Sequence, residues 1–220
     1  MKKTLFILIL MISQVILAQT GKEIIDKNIE LSGGLTNWKL LNSVILQGKV
    51  TLGIKDDYAI RIFQQRPNLT KTLITINNKE TAIEGYDGKK GYAMNYANNK
   101  LQEYANYEAE AFDNDFIDWE SKGFVANFLG KEKIGENYCY KVELVKNVNK
   151  TLYYFDIKTS MLLREIKKDE TLNYFDYKRV GNLLMPFRIE SNSPKKDSDY
   201  VMIINKIELN KAFPANTFKF

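Results

Sequence analysis

From Val44 almost to the end of the chain, apolar residues recur at every second position in short runs, and turn residues cut the runs at close intervals. Side chains alternate across a strand with period two, so this pattern dictates half-buried β-strands joined by tight links. Val44, Leu46, Val50, Leu52 and Ile54 alternate with Gln47, Lys49 and Thr51, and Gly48 is the gap on the apolar face. Comparable runs cover Tyr58 to Gln65, Leu69 to Ile76, Thr81 to Tyr86 and Gly91 to Tyr96, with turn signals at Asp56-Asp57, Asn77-Asn78 and Asp87-Gly88. The pattern resumes over Phe124 to Lys131, Tyr138 to Val145, Thr151 to Asp156, Leu162 to Lys167, Leu172 to Lys178, Leu184 to Glu190 and Tyr200 to Leu209. Links this short join antiparallel neighbours. The expectation is a mainly β chain of about eleven antiparallel strands, paired as a sandwich or curled into a barrel-like sheet; alternation does not choose between them.

Two stretches depart from period two. Ile24, Ile25, Ile29 and Leu31 are spaced as a helical stripe that Gly33-Gly34 would stop, which predicts an N-terminal amphipathic helix, with a further turn over Thr36 to Leu41 facing Trp38 and Leu41 inward. Between Asn98 and Lys122, Leu101, Tyr104, Tyr107, Ala111, Phe112, Phe116 and Trp119 are set among acidic residues, as in an amphipathic helix or a lid-like segment.

The first residues have the grammar of an export signal: Lys2 and Lys3, an apolar run from Leu5 to Leu17, and small Ala18 at the cleavage point. Ser13 and Gln14 interrupt the run, and a spanning helix needs about 20 apolar residues. Residues 1–18 are therefore expected to leave as a signal peptide. Gln19, Thr20 and Gly21 follow where a lipid anchor would need cysteine, so residues 19–220 are expected to be one soluble exported domain. The single cysteine, Cys139, sits in a strand and allows no internal disulfide, so a buried inert thiol is expected.

Net charge is +5 and falls to +3 without Lys2 and Lys3, spread as mixed Lys and Glu, which argues against nucleic acid as partner. The chain has no histidine, which removes Ser-His-Asp and Cys-His catalysis and the usual zinc ligand sets. Asp113, Asp115, Asp118 and Glu120 fail the calcium-loop pattern, because its glycine is absent and Ile117 takes a ligand position; a solvated helix face explains them. Asp87-Gly88-Lys89 reads as a hairpin turn. No catalytic residue, metal site or cofactor is expected. Arg66-Pro67-Asn68-Leu69 reads on its own as a strand-end turn with a surface arginine, and the 25 Tyr and Phe residues suit a plain core or a wide apolar cavity.

Taken in order, the opening helix, Gln65-Arg66-Pro67-Asn68-Leu69 and Tyr86-Asp87-Gly88-Lys89-Lys90-Gly91-Tyr92 with Asn95 resemble the periplasmic carriers of the lipoprotein localisation pathway (LolA-like). Tyr153-Tyr154-Phe155-Asp156, Leu162-Leu163-Arg164, Tyr174-Phe175-Asp176-Tyr177 with Gly181, Pro186-Phe187 and Ile207-Glu208-Leu209-Asn210 are similar to the subgroup of outer-membrane lipoprotein-sorting proteins. The resemblance covers essentially all of residues 19–220. It implies a strongly curved antiparallel sheet, an incomplete barrel, closed by a helical lid around an apolar cavity for acyl chains.

The same resemblance implies a monomeric periplasmic carrier of acylated lipoproteins or lipids, working between an inner-membrane donor complex and an outer-membrane acceptor. It places the lid latch at Arg66, with Pro67, and the lid at Leu101 to Trp119 or at the first helix. The cavity candidates are Leu46, Val50, Leu52, Ile60, Ile62, Leu73, Tyr92, Met94, Val142, Leu144, Tyr154, Phe175 and Phe187. Gly33-Gly34, Trp38 and Tyr92, where better-known carriers place tryptophan, depart from the pattern and leave open whether the cargo is lipoprotein, another acylated molecule or free lipid. The alternative is a non-catalytic periplasmic binding or scaffold protein that keeps the fold without transport; an open pocket favours the carrier, a packed interior the scaffold.

Overall fold

The computed structural model describes residues 20–53, 56–95, 97–168, 170–194 and 199–220. The leader, Ile54 and Tyr96 lie outside them. Helix α1 (Gly21–Leu31) starts at a capping box, in which the Thr20 hydroxyl accepts from the Glu23 amide and the Glu23 carboxylate accepts from the Thr20 amide. Its Ile24, Ile25 and Ile29 are buried, as the stripe predicts, whereas Leu31 in the last turn is exposed. A short α2 (Leu35–Lys39) follows the Gly33-Gly34 break.

Strands β1 (Ser43–Leu52), β2 (Asp56–Gln65), β3 (Leu69–Ile76), β4 (Lys79–Tyr86), β5 (Gly91–Asn95) and β6 (Lys100–Glu103) form one meander. Residues 104–124 then cross to β7 (Val125–Ile134), from which β8 (Asn137–Lys146), β9 (Asn149–Asp156), β10 (Leu162–Lys167) and β11 (Glu170–Phe175) meander back. A small hairpin, β12 (Lys178–Val180) and β13 (Leu183–Met185), precedes β14 (Arg188–Asn192) and β15 (Tyr200–Leu209). The result is a 13-stranded sheet in the order β6-β5-β4-β3-β2-β1-β15-β14-β11-β10-β9-β8-β7, with the β12–β13 hairpin separate. Every described pairing in it is antiparallel.

The sheet is open, with β6 and β7 as its edges. Register shifts at Gln47/Gly48, Thr72/Leu73, Phe128/Gly130 and Leu162/Arg164 introduce bulges, which bend strands and increase twist. Gly48 is required at the first of these: a Cβ there would stand 2.1 Å from the Ile203 carbonyl oxygen.

The expected architecture, a mainly β open sheet with an N-terminal amphipathic helix, is the one observed. Two details differ. The strands exceed eleven because β6 falls inside the stretch whose alternation is lost, and because Asp176 (φ 55°) and Pro186 each split a run that reads as continuous. The lid is not helical: residues 104–124 form successive turns whose carboxylates bind other elements rather than one helix face. Of the two arrangements that alternation leaves open, the described residues adopt the single curled sheet that the resemblance implies.

Two apolar clusters lie on the face covered by α1 and the crossing segment. One joins Ile24, Ile25 and Ile29 to Phe116, Trp119, Val142, Leu144, Tyr153 and Phe155; the other gathers Leu41, Val44, Leu183, Met202, Ile204 and Ile207. Trp38 packs against both, its indole N–H donating to the Ser32 hydroxyl at 3.0 Å. Cys139 is fully buried, and burial pushes its thiol up to about 11. Phe155 is completely buried in the first cluster. Phe155→Ala is expected to cost about 3–5 kcal/mol, read as the shift in a chemical denaturation midpoint, and Gly48→Ala to destabilise as well, through the clash with Ile203.

Candidate functional site

The segment 104–124 begins at one sheet edge, crosses the inner face and ends at the other, and it is fastened along its length. At its start the Tyr107 ring stacks on Tyr86 (5.8 Å) and lies on Gly91, where a Cβ would be 1.9 Å from the ring; its hydroxyl donates to Glu84 at 3.2 Å. At the centre the Phe112 amide donates to the Pro67 carbonyl at 2.9 Å, and Asp113 forms an ion pair with Arg66. Farther on, Asp115 accepts from the Tyr153 hydroxyl at 3.0 Å, while Phe116, Ile117 and Trp119 are buried. Asp118 meets Lys39 at 2.8 Å and Glu120 meets Lys22 at 3.2 Å.

Arg66 serves three elements at once. Its Nε and Nη2 donate to the Leu41 carbonyl at 3.2 and 2.8 Å, Nη2 also reaches the Trp38 carbonyl at 3.4 Å, and Nη1 holds Asp113. The guanidinium also sits 5.0 Å from the Phe112 ring centre. A guanidinium can do this because its donors form a planar fork with a permanent charge. The pair is partly shielded, with side-chain exposures of 28% and 22%, whereas the lid's other ion pairs are open to water and correspondingly weak. The Arg66–Pro67 peptide bond is cis.

Beneath the segment lies a half-open cleft of about 870 Å³. Ile29, Trp38, Phe116, Ile117, Leu162, Leu172, Leu184 and Pro186 supply an apolar wall. Glu108, Glu110, Asp113, Asp115, Glu165, Glu170, Lys167 and Lys168 supply a polar one. Glu165 accepts from the Tyr174 hydroxyl at 2.9 Å, and burial holds its carboxyl above the ordinary range. Tyr177 donates to the Leu162 carbonyl at 2.7 Å. A second cavity of about 120 Å³ is lined mainly by Trp38, Leu41, Val44, Leu46, Phe112, Ile117 and Met185. The two share Trp38, Asp113, Asn114 and Ile117, so the Arg66 partner Asp113 stands in the partition between them.

The structure places Arg66 and Pro67 together at the lid. Of the cavity candidates, Leu46 lines the smaller cavity. Ile60, Ile62 and Phe187 pack against the second apolar cluster, and Val50 is buried opposite Met202 on the same face. Leu52 is 40% exposed at the end of β1, and Val142 and Leu144 are packed in the first cluster. Leu73, Tyr92, Met94, Tyr154 and Phe175 lie on the opposite, outer face: register pairs Leu73 with Arg61, Tyr92 with Gly85, Tyr154 with Lys141 and Phe175 with Arg188. Met94 is two residues from Tyr92 on the same strand.

Sequence reading gave no site role to Asp113, Asp115, Glu165 or Tyr174, and placed Phe116 only among the apolar residues of the lid-like segment. The acidic residues at 113–120 are fasteners of the lid and not a solvated helix face. Their signal was the interleaving of carboxylates with Phe112, Phe116, Ile117 and Trp119, which suits a segment lying on a surface with tethers between apolar anchors.

This architecture, an open sheet crossed by one long segment, is shared with several solved structures. The particular likenesses are to a LolA superfamily protein from Nitrosomonas europaea (TM-score 0.56, 14% identity, covering 92% of this chain and 99% of that one). A putative outer membrane lipoprotein-sorting protein domain from Vibrio parahaemolyticus follows (0.55, 11%, covering 89% and 97%). So does a DUF1329 family protein from Desulfovibrio piger (0.59, 10%, covering 92% and 98%). No family model and no curated protein matches the chain by sequence. At these identities the likeness establishes the fold.

Glu165 gives the site a pH signature. Because its carboxyl is raised, the folded state keeps a proton that the unfolded chain has lost above roughly pH 4. The stability due to that proton is full below the unfolded value and is lost as pH rises through the folded one. Glu165→Gln, which still accepts from Tyr174, is expected to melt above the unaltered protein at pH 7–8, with the gap closing toward pH 4. Melting curves across that range decide it.

Proposed function

We propose that this protein is a periplasmic carrier that holds acyl chains of lipoproteins or other lipids in the cleft under the lid and delivers them toward the outer membrane. The observation that carries the reading is the 870 Å³ cleft behind a latched lid, adjoining a second, apolar cavity across the latch. Its volume lies within the roughly 300–1,000 Å³ of small-molecule sites. The physical need is plain: at about 0.8 kcal/mol per buried CH₂, a sixteen-carbon chain in water is unfavourable by roughly 12 kcal/mol, so an acylated molecule crosses an aqueous gap only inside a host.

The fold likeness to lipoprotein-sorting proteins supports the same reading, as does the export grammar of residues 1–18. Among the described residues no helix is long and apolar enough to cross a membrane. An inner-membrane donor, an outer-membrane acceptor and a monomeric carrier complete the proposal. In it Arg66 keeps the partition shut. Releasing Asp113 frees the lid centre and joins the two cavities, so one ion pair gates both capacity and exit.

The polar wall favours a second reading, a periplasmic binding protein for a more polar ligand that performs no transport. Native mass measurement on protein isolated without detergent separates the two: the carrier retains acyl-bearing adducts and the alternative does not. Arg66→Leu and Asp113→Asn are each expected to speed exchange of a fluorescent fatty acid by about tenfold, the order of one lost charge-assisted contact of ~1.4 kcal/mol. Exchange rates unchanged in both variants would refute the latch.

A further inference from the structure

The motif Tyr86-Asp87-Gly88-Lys89-Lys90-Gly91-Tyr92 has a use that lid closure does not exhaust. Register places Phe63, Lys71, Gly85 and Tyr92 in one row on the outer face of β2 to β5. The tail after β15 lies along that row. It is first tied to the start of β1, where Asn210 donates to the Ser43 carbonyl at 2.8 Å and Ser43 donates to the Lys211 carbonyl at 2.7 Å.

Beyond that tie the tail touches the sheet through rings. Phe213 meets Phe63 edge-on at 5.7 Å, Phe218 packs on Phe213 at 5.3 Å, and Phe220 stacks on Tyr92 at 4.5 Å. Lys71 lies 4.7 Å from the centre of the Phe220 ring and donates to the Lys219 carbonyl at 2.6 Å. The amides of Thr217 and Lys219 bond within the tail, to Pro214 and Asn216, so the tail adds no strand to the sheet.

Gly85 marks the place as a seat. A glycine inside a strand weakens it unless close approach requires one, and a Cβ here would stand 2.1 Å from the Phe220 ring. The opposite face of the same β4–β5 pair carries Tyr107, seated on Gly91. One hairpin therefore has a glycine seat on each face, the inner for the lid and the outer for the tail.

We propose that the outer groove of Phe63, Lys71, Gly85 and Tyr92 is a docking site for a turn-forming peptide segment with an aromatic ring at each end, of the form of residues 213–220. The chain's own residues 213–220 fill it in cis, Phe213 on Phe63 and Phe220 over Gly85 and Tyr92, and a partner protein's segment of that form displaces them. The occupant's chemistry is written in the present one: a ring deep over Gly85 and against Tyr92, a backbone carbonyl one residue earlier for Lys71, and a ring before the turn, in the place of Phe213, edge-on to Phe63. Its hold rests on ring contacts worth about 0.5–1.5 kcal/mol each beyond area burial, so it is exchangeable in a way a paired strand is not. A partner docked there sits one sheet thickness from the base of the lid. The proposal does not depend on what the cleft carries.

The test uses the full chain. A fluorescently labelled peptide Ala-Phe-Pro-Ala-Asn-Thr-Phe-Lys-Phe is titrated, by anisotropy, into the unaltered protein and into the Phe213→Ala/Phe220→Ala variant. Binding at least tenfold tighter to the variant, and lost when Gly85→Leu is added, is the expected result. No binding to a folded variant, equal binding to both chains, or binding that survives Gly85→Leu overturns the proposal. Should the double variant fail to fold, hydrogen exchange on the unaltered chain decides: excess peptide is expected to speed exchange at Thr217 and Lys219, and unchanged exchange there refutes it.

Discussion

The pairing of β1 with β15 is the interaction on which the rest of the molecule rests. Each half of the sheet is a meander of neighbours in sequence, and neither half alone presents both walls of the inner face. The β1–β15 ladder, from Val44↔Leu209 to Leu52↔Tyr200, joins them at the middle of the sheet. Its contacts are among the most distant in the chain, so closing it costs loop entropy that local strand pairing does not. What offsets that cost is the second apolar cluster, assembled from Val44, Met202, Ile204 and Ile207 on the two strands together with Leu41 and Leu183. The bulge at Gly48 bends the joint where the Ile203 carbonyl comes closest, and bending there turns the two halves toward a common interior.

How much of this the sequence discloses depends on the kind of information involved. The strands Leu69–Ile76, Leu162–Lys167 and Tyr200–Leu209 can be read to the residue, because alternation is a local property bounded by turn chemistry. Which face looks inward is another matter. It is set by long-range register and by bulges, each of which flips a strand's sides. Tyr92 and Tyr154 are apolar enough to line a cavity, yet a glycine partner in one case and a lysine in the other put them outside.

The lid illustrates the same limit from the other side. Its carboxylates look like solvent-facing residues because sequence spacing gives no hint of Arg66, Tyr153, Lys39 or Lys22 as partners, which arrive from four distant elements. Arg66 itself is legible only as part of an ordered set of motifs; taken alone it is an arginine before a proline. Its position makes sense of the set. It ties α2 and the start of β1 to the middle of the crossing segment with a single side chain, so the seam, the lid and the partition between the two cavities are mechanically one assembly.

The crossing segment leaves one rim of the sheet at β6 and enters the other at β7. A segment rooted in both rims cannot swing on a single hinge as a flap does. Any lifting would be that of a bucket handle, pivoting at both roots, with the contour length limiting how far apart the rims could travel. In the proposed carrier, girth and cover would thus be governed by the same stretch of chain: a bulkier occupant that spread the sheet would draw the handle taut across itself.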